Sequence, residues 1–562
     1  MADPMVLEGV LDYHRLGDPT SPPIGFFDAR GMTDEVPRAT LFGDARAAAA
    51  GLAHHGIRAG DRVIIAAPTS RDYLTVLLAC LLSRVAPCTV APPNNPDSPT
   101  SAGVRHLHAA VAAVRPAAVL AADARLAAAA PAGTPALTFS DLRGHGAIPA
   151  DGGEPPDPQT VHHIQLTSGS TSAPKAVVLT HANVSANLGA LAAATELLPG
   201  RDRIFTWLPL YHDMGLVQVL LAFTRGVALD LMPPIGFLRD PLSWLRHISD
   251  RGATHTAAPP FAYRAAADRQ ARRPDPRLNL STLRQAYVGA EPIPVATLRL
   301  FRDTFAPHGL ADDTLIPCYG MAETVLATTL ALNPAPAGEQ SFGRVRWRQF
   351  DRASLDERNI AVPPIPGRPT RSIVCCGTTI PGLTLRITDE SGREVPDGHI
   401  GAIEVRGTSV MAGYLTPEDG GVTAPRDGWH HTGDLGLRHD GELYVVGRTK
   451  EMLIVNGRNL PPYDVEAVIE EHPHVASGGA AVFSYPSEDK GTEPVVAVVE
   501  TRAATAEWPT IRTEITTAVR EVFGLSLADV VIVPRGGIPR TSSGKRQRAA
   551  LRNTYLADRQ PG

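Results

Sequence analysis

The nine residues from Thr167 to Lys175 read TSGSTSAPK and lie between two short apolar runs. A loop of small and hydroxyl residues offers backbone N–H and side-chain O–H donors to a polyphosphate, and a lysine adds positive charge at its edge. It is not a Walker A loop, because the pattern GxxxxGK[ST] is absent. A polar hairpin turn is the alternative interpretation. The phosphate-binding hypothesis concerns Thr167, Ser168, Gly169, Ser170, Thr171 and Lys175.

A second group of residues has the chemistry to bind a purine and a metal ion. Residues 319–324 read YGMAET, and residues 289–292 read GAEP. An aromatic ring can stack on a purine, glycine allows close backbone approach, and a glutamate oxygen can hold Mg²⁺ against phosphate oxygens. Each motif alone is a weak signal, since a Tyr-Gly pair is most often part of a turn.

Two further motifs lie nearer the C-terminus. Asp434 ends the sequence HTGD, and Arg448 lies within GRTK. An aspartate beside a glycine turn suits a ribose diol, and an arginine suits a ribose or phosphate oxygen, although both motifs also fit solvated surface turns. Residues 539–545 read PRTSSGK and present Lys545 on a glycine-serine loop that can carry a charge into a distant site. A mobile tail is the alternative for this loop.

The scarcity of lysine adds weight to these motifs. Of the 53 basic residues only four are lysines, at positions 175, 450, 490 and 545. An ammonium is a compact charge and a guanidinium a planar fork, so the two side chains do different chemistry. Three of the four lysines lie inside the motifs above, which favours a chemical role and counts against an inactive scaffold.

The elements that must position these motifs follow an α/β pattern. The sequence predicts a helix at 45–55, a strand at 62–67 and a helix at 73–82, and strand-like and helical runs continue to alternate after them. After Gly447 a new pattern begins, with a strand at 452–455, a helix at 462–471 and strands at 480–483 and 495–500. We therefore expect an N-terminal region of several α/β subdomains over residues 1–447 and a small α+β domain over residues 448–562. The active site should lie in the cleft between them.

Bulk composition excludes some classes of protein. Apolar residues make up 43% and charged residues 20% of the 562 residues, and the net charge is -5. These values are typical of a folded enzyme and show no basic footprint for nucleic acid. The N-terminus lacks the pattern of a signal peptide, and the apolar runs fall short of the ~20 residues needed to span a bilayer. The sequence predicts a cytoplasmic protein without stable membrane insertion. Its five cysteines lack CxxC spacing, so we expect them to be reduced thiols.

In their order and spacing the motifs resemble the adenylate-forming superfamily of acyl-CoA synthetases, adenylation domains and luciferases, across nearly the full length. Within it the chain is most similar to the fatty acyl-AMP ligases. Three segments carry that likeness: residues 207–216, WLPLYHDMGL; residues 457–459, GRN, followed by Pro462, Asp464 and Glu466; and an insertion at about 344–371. The insertion resembles the one that separates these ligases from CoA ligases.

The resemblance implies a role for each motif. Residues 168–175 would hold the ATP phosphates, Tyr319 would stack on adenine, and Lys545 would bridge the substrate carboxylate and the α-phosphate. The C-terminal domain would rotate about Lys450 between adenylation and thioester formation. The other implied contacts are Gly289, Ala290, Glu291, Gly320 and Met321 for the nucleotide, Glu323 for Mg²⁺, Thr324 for the α-phosphate, Asp434 and Arg448 for the ribose, and His212 for the carboxylate.

The acyl pocket is expected from apolar and aromatic segments. These segments favour a hydrophobic acid, and residues 256–260, TAAPP, lack the aspartate that would anchor an α-amino group. The candidate pocket residues are Trp207, Asp213, Met232, Phe237, Pro259 and Tyr263.

The resemblance implies a two-step reaction. ATP and Mg²⁺ would activate a fatty acid as acyl-AMP with release of pyrophosphate, and the acyl group would pass to the phosphopantetheine thiol of an acyl or peptidyl carrier protein in trans. The alternatives are transfer to free CoA, delivery to an amine or another small nucleophile, and an inactive homologue that only binds acyl groups or nucleotides. A serine hydrolase is disfavoured, because residues 407–411, GTSVM, lack the final glycine of a nucleophile elbow.

Overall fold

The computed structural model describes residues 6–7, 10–11, 13, 20–149, 155–167, 174–334, 340–416, 420–455, 458–485, 493–541 and 545–558. Over these residues it has the α/β architecture that the sequence predicts, with two large mixed sheets and smaller sheets toward the C-terminus. The described helices are Arg38–His54, Arg71–Leu82, Ala102–Val114, Ala124–Ala128, His181–Thr195, Asp213–Arg225, Pro234–Arg239, Pro241–Arg251, Pro260–Arg272, Val295–Phe305, Arg352–Arg358, Pro462–Glu470, Trp508–Phe523 and Arg548–Ala557.

The first large sheet has eight strands in the described part of the chain. In spatial order they are Val422–Thr423, Gly413–Leu415, Lys175–Thr180, Val161–Thr167, Ala86–Val90, Arg62–Ala66, Ala118–Ala121 and Ala136–Thr138. Strands Val161–Thr167 and Lys175–Thr180 pair antiparallel, with Thr167 opposite Lys175. The predicted phosphate loop therefore connects two neighbouring strands, and its residues Ser168, Gly169, Ser170 and Thr171 lie outside the described residues.

The second large sheet has nine described strands. In spatial order they are Thr378–Thr379, Ala327–Leu330, Leu315–Gly320, Gln285–Val288, His255–Ala258, Arg203–Thr206, Ala228–Leu231, Ile24–Phe27 and Met32–Val36. Its central strands run parallel, so their carboxyl ends meet at one edge. The motifs at 289–292 and 319–324 follow two of these ends, and ligands commonly bind at that edge of an α/β sheet.

The other described strands form four smaller sheets and one short N-terminal pair, Val6–Leu7 with Val10–Leu11. The first contains Leu383–Thr388, Gly401–Gly407, His430–His439 and Glu442–Arg448; the second Ser341–Phe342, Val345–Asp351 and Thr370–Val374; the third Leu453–Val455 and Arg458–Leu460; and the fourth Val475–Ser484, Val495–Thr501 and Asp529–Pro534. The segment after residue 450 has its own buried core, formed by residues such as Val465, Val499 and Val519. The boundary at 447/448 remains a prediction.

The insertion at 344–371 is a folded element. It forms strand Val345–Asp351 and helix Arg352–Arg358 and leads into strand Thr370–Val374. Phe350 and Leu355 pack on Leu437 and Tyr444 of the neighbouring four-stranded sheet. The insertion also contacts the C-terminal segment, because Arg371 Nε lies 2.8 Å from Asp464 Oδ2.

The predicted elements are confirmed, with differences at their ends. The first helix begins at Arg38, earlier than the predicted 45, because Leu41 and Phe42 extend its buried face toward the N-terminus. Ser70 caps the next helix by accepting a hydrogen bond from the Tyr73 N–H, so that helix begins at Arg71. Within the described residues, no helix combines the length and apolarity that a bilayer crossing requires.

Candidate active site

Tyr319, Asp434 and Arg448 come together where two sheets meet. The Tyr319 hydroxyl donates to Asp434 Oδ2 at 2.8 Å, and Arg448 Nε donates to Asp434 Oδ1 at 3.1 Å. Asp434 and Arg448 face each other across the hairpin of His430–His439 and Glu442–Arg448, so strand register alone fixes that pair. Burial raises the pKa of Asp434, and Arg448 opposes the shift. The predicted adenine and ribose residues therefore form one continuous group.

The segment 289–291 lies beside this group. Strand Gln285–Val288 runs parallel to Leu315–Gly320, which brings residue 289 against the end of the Tyr319 strand. A Cβ at Gly289 would lie 2.8 Å from Cys318 Sγ and 2.9 Å from its carbonyl oxygen, so only glycine fits there. Ala290 has a positive φ of 67°, and burial raises the pKa of Glu291 while Lys545 opposes that shift. The predicted nucleotide segment therefore lies within electrostatic reach of Lys545.

Glu323 and Lys175 are linked by a residue that the motif search missed. Tyr414 donates its hydroxyl to Glu323 Oε1 at 2.6 Å, and Lys175 Nζ lies 4.8 Å from the centre of the Tyr414 ring. Strand Gly413–Leu415 adds to the edge of Lys175–Thr180, with Val177 opposite Tyr414. No local signal marks Tyr414, because its partners are remote in sequence.

Glu323 offers a carboxylate oxygen of the kind that binds a magnesium ion. Among the described residues, none donates a hydrogen bond to Glu323 Oε2. Burial is the main reason that the pKa of Asp213 is raised, and the negative charge of Glu323 adds to that shift. Mg²⁺ is commonly bound by one or two carboxylates together with substrate phosphates. The described residues contain no group of three metal-binding side chains, so substrate oxygens would have to complete the coordination.

Thr324 is buried within its own segment. Its side chain has no exposed surface, and its hydroxyl is 3.0 Å from both the Met321 carbonyl oxygen and Thr328 Oγ1. The α-phosphate contact that the resemblance implies for Thr324 stays a prediction.

His212 and Asp213 begin helix Asp213–Arg225 beside the Lys545 loop. Burial lowers the pKa of His212 to about 3, with a further contribution from the positive charge of Lys545, so the imidazole is neutral at physiological pH. Burial raises the pKa of Asp213, and Lys545 opposes that shift. Gly215 lets the start of this helix pack closely against Pro209, because a Cβ at position 215 would lie 2.3 Å from the Pro209 carbonyl oxygen.

Lys545 belongs to the C-terminal segment and lies near charged groups of the N-terminal region. Its backbone pairs with Thr541: the Thr541 N–H donates to the Lys545 carbonyl at 2.7 Å, and the Lys545 N–H donates to Thr541 Oγ1 at 3.1 Å. The charge of Lys545 acts on four groups of the N-terminal region: His212, Asp213, Glu291 and Asp434. The ammonium is therefore within electrostatic reach of both the predicted carboxylate site and the predicted nucleotide site.

A buried ion cluster anchors the residues that follow Lys545. Glu466 is fully buried and accepts hydrogen bonds from Arg548 Nε at 2.7 Å, Arg548 Nη2 at 2.8 Å and the Val482 N–H at 2.9 Å. Arg546, next to Lys545, is bonded to Glu466 and Glu470. In the sequence, Glu466 is marked only by the likeness to the fatty acyl-AMP ligases, and the structure gives it this anchoring contact.

The candidate acyl residues form an aromatic cluster next to the His212 segment. Trp207 stacks on Phe237 with ring centroids 3.9 Å apart and planes 8° apart. Tyr263 is fully buried and donates its hydroxyl to the Tyr287 carbonyl at 2.8 Å. Met232 is also fully buried, and Pro259 directly precedes helix Pro260–Arg272, which carries Tyr263. This apolar environment suits a hydrocarbon better than a charged side chain.

Lys450 lies in the connection between the two regions. It is exposed within the short 3₁₀ turn Thr449–Glu451, which joins strand Glu442–Arg448 to strand Leu453–Val455. This position fits the hinge role that the resemblance implies, and that role remains a prediction.

The chain is similar in sequence to known protein families and to named relatives. Residues 39–415 match the family described as AMP-binding enzyme, and residues 450–561 match the Disco-interacting protein 2-like AMP domain. A Caulobacter vibrioides protein provisionally named an acyl-CoA synthetase is 32% identical over 99% of this chain and 96% of its own length. The long-chain-fatty-acid--AMP ligase FadD26 of Mycobacterium marinum is 32% identical over 94% of this chain and 93% of its own.

Solved structures agree with these matches. A chain from a study of fatty acyl-adenylate ligases from E. coli and L. pneumophila superposes with a TM-score of 0.87 at 30% identity, covering 97% of both chains. A fatty acyl-adenylate ligase from L. pneumophila, solved with acyl adenylate and pyrophosphate, has a TM-score of 0.71 at 26% identity and covers 97% of this chain and 95% of its own. The family match over residues 39–415 and the full-length relatives together show that this chain belongs to the AMP-binding enzyme family.

Proposed function

We propose that this chain activates a fatty acid as acyl-AMP, releases pyrophosphate, and then transfers the acyl group to the phosphopantetheine thiol of a carrier protein. The observation that carries the proposal is the position of Lys545, whose charge acts on His212 and Asp213 on one side of the cleft and on Asp434 on the other. Relatives named long-chain-fatty-acid--AMP ligases over most of this chain support the same reaction.

In the first step a carboxylate oxygen of the acid attacks the α-phosphorus of ATP in line, and the bond to the bridging oxygen breaks to release pyrophosphate. Such a transition state gathers negative charge and is stabilised mainly by positioning and fixed charge. Lys545 supplies the positive charge between the carboxylate and the α-phosphate. The neutral His212 imidazole leaves the acid ionised and orients it without competing for a proton.

Tyr319, Asp434 and Arg448 would hold the nucleoside, and Lys175 with residues 167–171 would hold the phosphates. Glu323 would bind Mg²⁺, which neutralises phosphate charge when it is bound. Backbone and van der Waals contacts with the nucleotide would come from Gly289, Ala290, Glu291, Gly320 and Met321. The aromatic cluster of Trp207 and Phe237 would face the hydrocarbon.

In the second step the thiolate attacks the acyl carbonyl carbon and AMP leaves. A carrier protein is proposed as the acceptor because relatives of similar length are named acid–AMP ligases. Free CoA is the second candidate, because the Caulobacter vibrioides relative is provisionally named an acyl-CoA synthetase. Rotation about Lys450 would withdraw Lys545 and admit the thiol.

Pyrophosphate release with ATP and Mg²⁺ tests the first step. Medium- and long-chain acids, aryl acids and amino acids are compared for the wild-type chain, Lys545→Ala and the control Arg512→Ala, which changes an exposed residue of helix Trp508–Phe523. We expect release with fatty acids from the wild type and the control, and a loss of at least about a hundredfold in Lys545→Ala. Equal release from Lys545→Ala would refute the role of Lys545. Parallel reactions with CoA and with holo carrier protein identify the acceptor.

A further inference from the structure

Tyr414 touches both charged groups that face the proposed polyphosphate site. Its hydroxyl is 2.6 Å from Glu323 Oε1, a distance typical of a charge-assisted bond in which the phenol donates to a carboxylate. Its ring lies 4.8 Å from Lys175 Nζ, within the range of a cation–π contact. One side chain therefore contacts the proposed metal-binding carboxylate and the proposed phosphate-binding ammonium.

The backbone around Tyr414 is held in place from two sides. The Met411 N–H donates to the Glu323 carbonyl at 2.8 Å. Asn183 Nδ2, on helix His181–Thr195, donates to the Thr408 and Val410 carbonyls at 2.9 and 2.8 Å. Since these bonds precede the strand that carries Tyr414, the phenol is presented from a rigid segment.

A third neighbour closes the group. His430 is 6% exposed, and its ring lies edge-on to Tyr414 with centroids 6.4 Å apart. His430 begins the strand that also carries Asp434, so the Tyr414 group continues into the proposed ribose site. Burial lowers the pKa of His430, and the charge of Lys175 contributes to the same shift.

We infer that Tyr414 is a positioning residue for the proposed adenylation. It bonds one carboxylate oxygen of Glu323 and so directs the other oxygen to the metal. It also holds the Lys175 ammonium toward the proposed phosphate site. This inference depends on the proposed function. The hydroxyl and the ring have separate tasks: the hydroxyl orients Glu323, and the ring orients Lys175. Tyr414→Phe removes only the first contact, and Tyr414→Leu removes both.

Direct binding measurements test the two tasks without turnover. Mn²⁺ replaces Mg²⁺ as a paramagnetic probe, and α,β-methylene-ATP is the unreactive nucleotide, with free Mn²⁺ measured by electron paramagnetic resonance. We expect Tyr414→Phe to weaken Mn²⁺ binding in the presence of the analogue by about tenfold, and to change binding of the metal-free analogue less than about twofold. We expect Tyr414→Leu to weaken both.

Tyr444→Phe is the matched control. The Tyr444 hydroxyl lies 3.2 Å from Arg348 Nε on the same N-terminal region, so this variant also loses a buried phenol contact but outside the site. It should bind Mn²⁺ and the analogue like the wild type. In turnover, the Mg²⁺ concentration for half-maximal pyrophosphate release should rise about tenfold in Tyr414→Phe, and excess Mg²⁺ should restore kcat.

Two results would overturn the inference while leaving the proposed function intact. Wild-type Mn²⁺ affinity in Tyr414→Phe would show that the hydroxyl does not position Glu323. Equal binding of the metal-free analogue by Tyr414→Phe and Tyr414→Leu would show that the ring does not position Lys175. A wild-type chain that binds no analogue would instead refute the proposed function, and the inference with it.

Discussion

Replacing Glu466 should damage both the stability of the C-terminal region and the adenylation step. Glu466 has no exposed surface, and it is the shared partner of Arg546 and Arg548. Removing one member of a buried ion pair leaves uncompensated charge and costs about 3–5 kcal/mol. Glu466→Gln keeps the shape of the side chain and removes the charge, so we expect a loss of about 3 kcal/mol from the free energy of unfolding of this region.

The effect on activity follows from the position of Lys545 next to Arg546. A shift of about 1 Å in a group that must align with the reacting atoms can cost about a hundredfold in rate. We therefore expect kcat for pyrophosphate release to fall between about tenfold and a hundredfold in Glu466→Gln. The proposed nucleotide contacts of Asp434 and Tyr319 do not involve Glu466, so KM for ATP should change much less.

Two measurements check this prediction. Hydrogen exchange in urea, followed by mass spectrometry of peptides from residues 453–532, reports the stability of the C-terminal core. Pyrophosphate release reports adenylation. The matched control is Glu470→Gln, because Glu470 contacts Arg546 but not Arg548, so its replacement should cost less than that of Glu466. The reasoning fails if Glu466→Gln and Glu470→Gln are equally stable and equally active.

The pH dependence of stability provides a second check on Glu466. Burial alone would raise its pKa, but Arg546 and Arg548 outweigh burial, and the pKa is lowered from 4.5. A lowered carboxyl pKa stabilises the fold above the pKa of the unfolded state, and this contribution is lost as the pH falls through the folded value. The wild type should therefore lose stability below about pH 4.5 more steeply than Glu466→Gln.

Three further predictions concern other parts of the site. Because the pKa of His212 is about 3, the plot of kcat/KM for the acid against pH should show no inflection near pH 6.5 that depends on this residue. An inflection that His212→Asn removes would contradict the neutral imidazole. Arg371→Ala, which leaves Asp464 without its buried partner, should speed proteolysis between residues 448 and 458, whereas the exposed control Arg368→Ala should not; equal cleavage would refute the contact's importance. Lys450→Pro should slow thioester formation at least about tenfold and leave pyrophosphate release within twofold, and equal losses in both steps would exclude a hinge at this position.

The local pattern of the sequence was sufficient for most elements and for the identity of the motifs. The strand at 62–66 and the helix at 71–82 lie close to their predicted bounds, because apolar spacing is a property of neighbouring residues. The fold class and the family were also predicted from the sequence, and the comparisons confirm both.

The contacts that complete the site were decided by strand register and packing. Tyr414 meets Glu323 across 91 positions of the chain, and Tyr319 meets Asp434 across 115. Such pairs depend on which strands are neighbours and how they are aligned, and a one-residue slip would turn every side chain to the opposite face. Thr324 shows the same limit, because only the packing places its hydroxyl against Met321 and Thr328. The sequence by itself determined which chemical groups are present and in what order; the tertiary structure decided which of them face one another, because that depends on long-range pairing that no local pattern encodes.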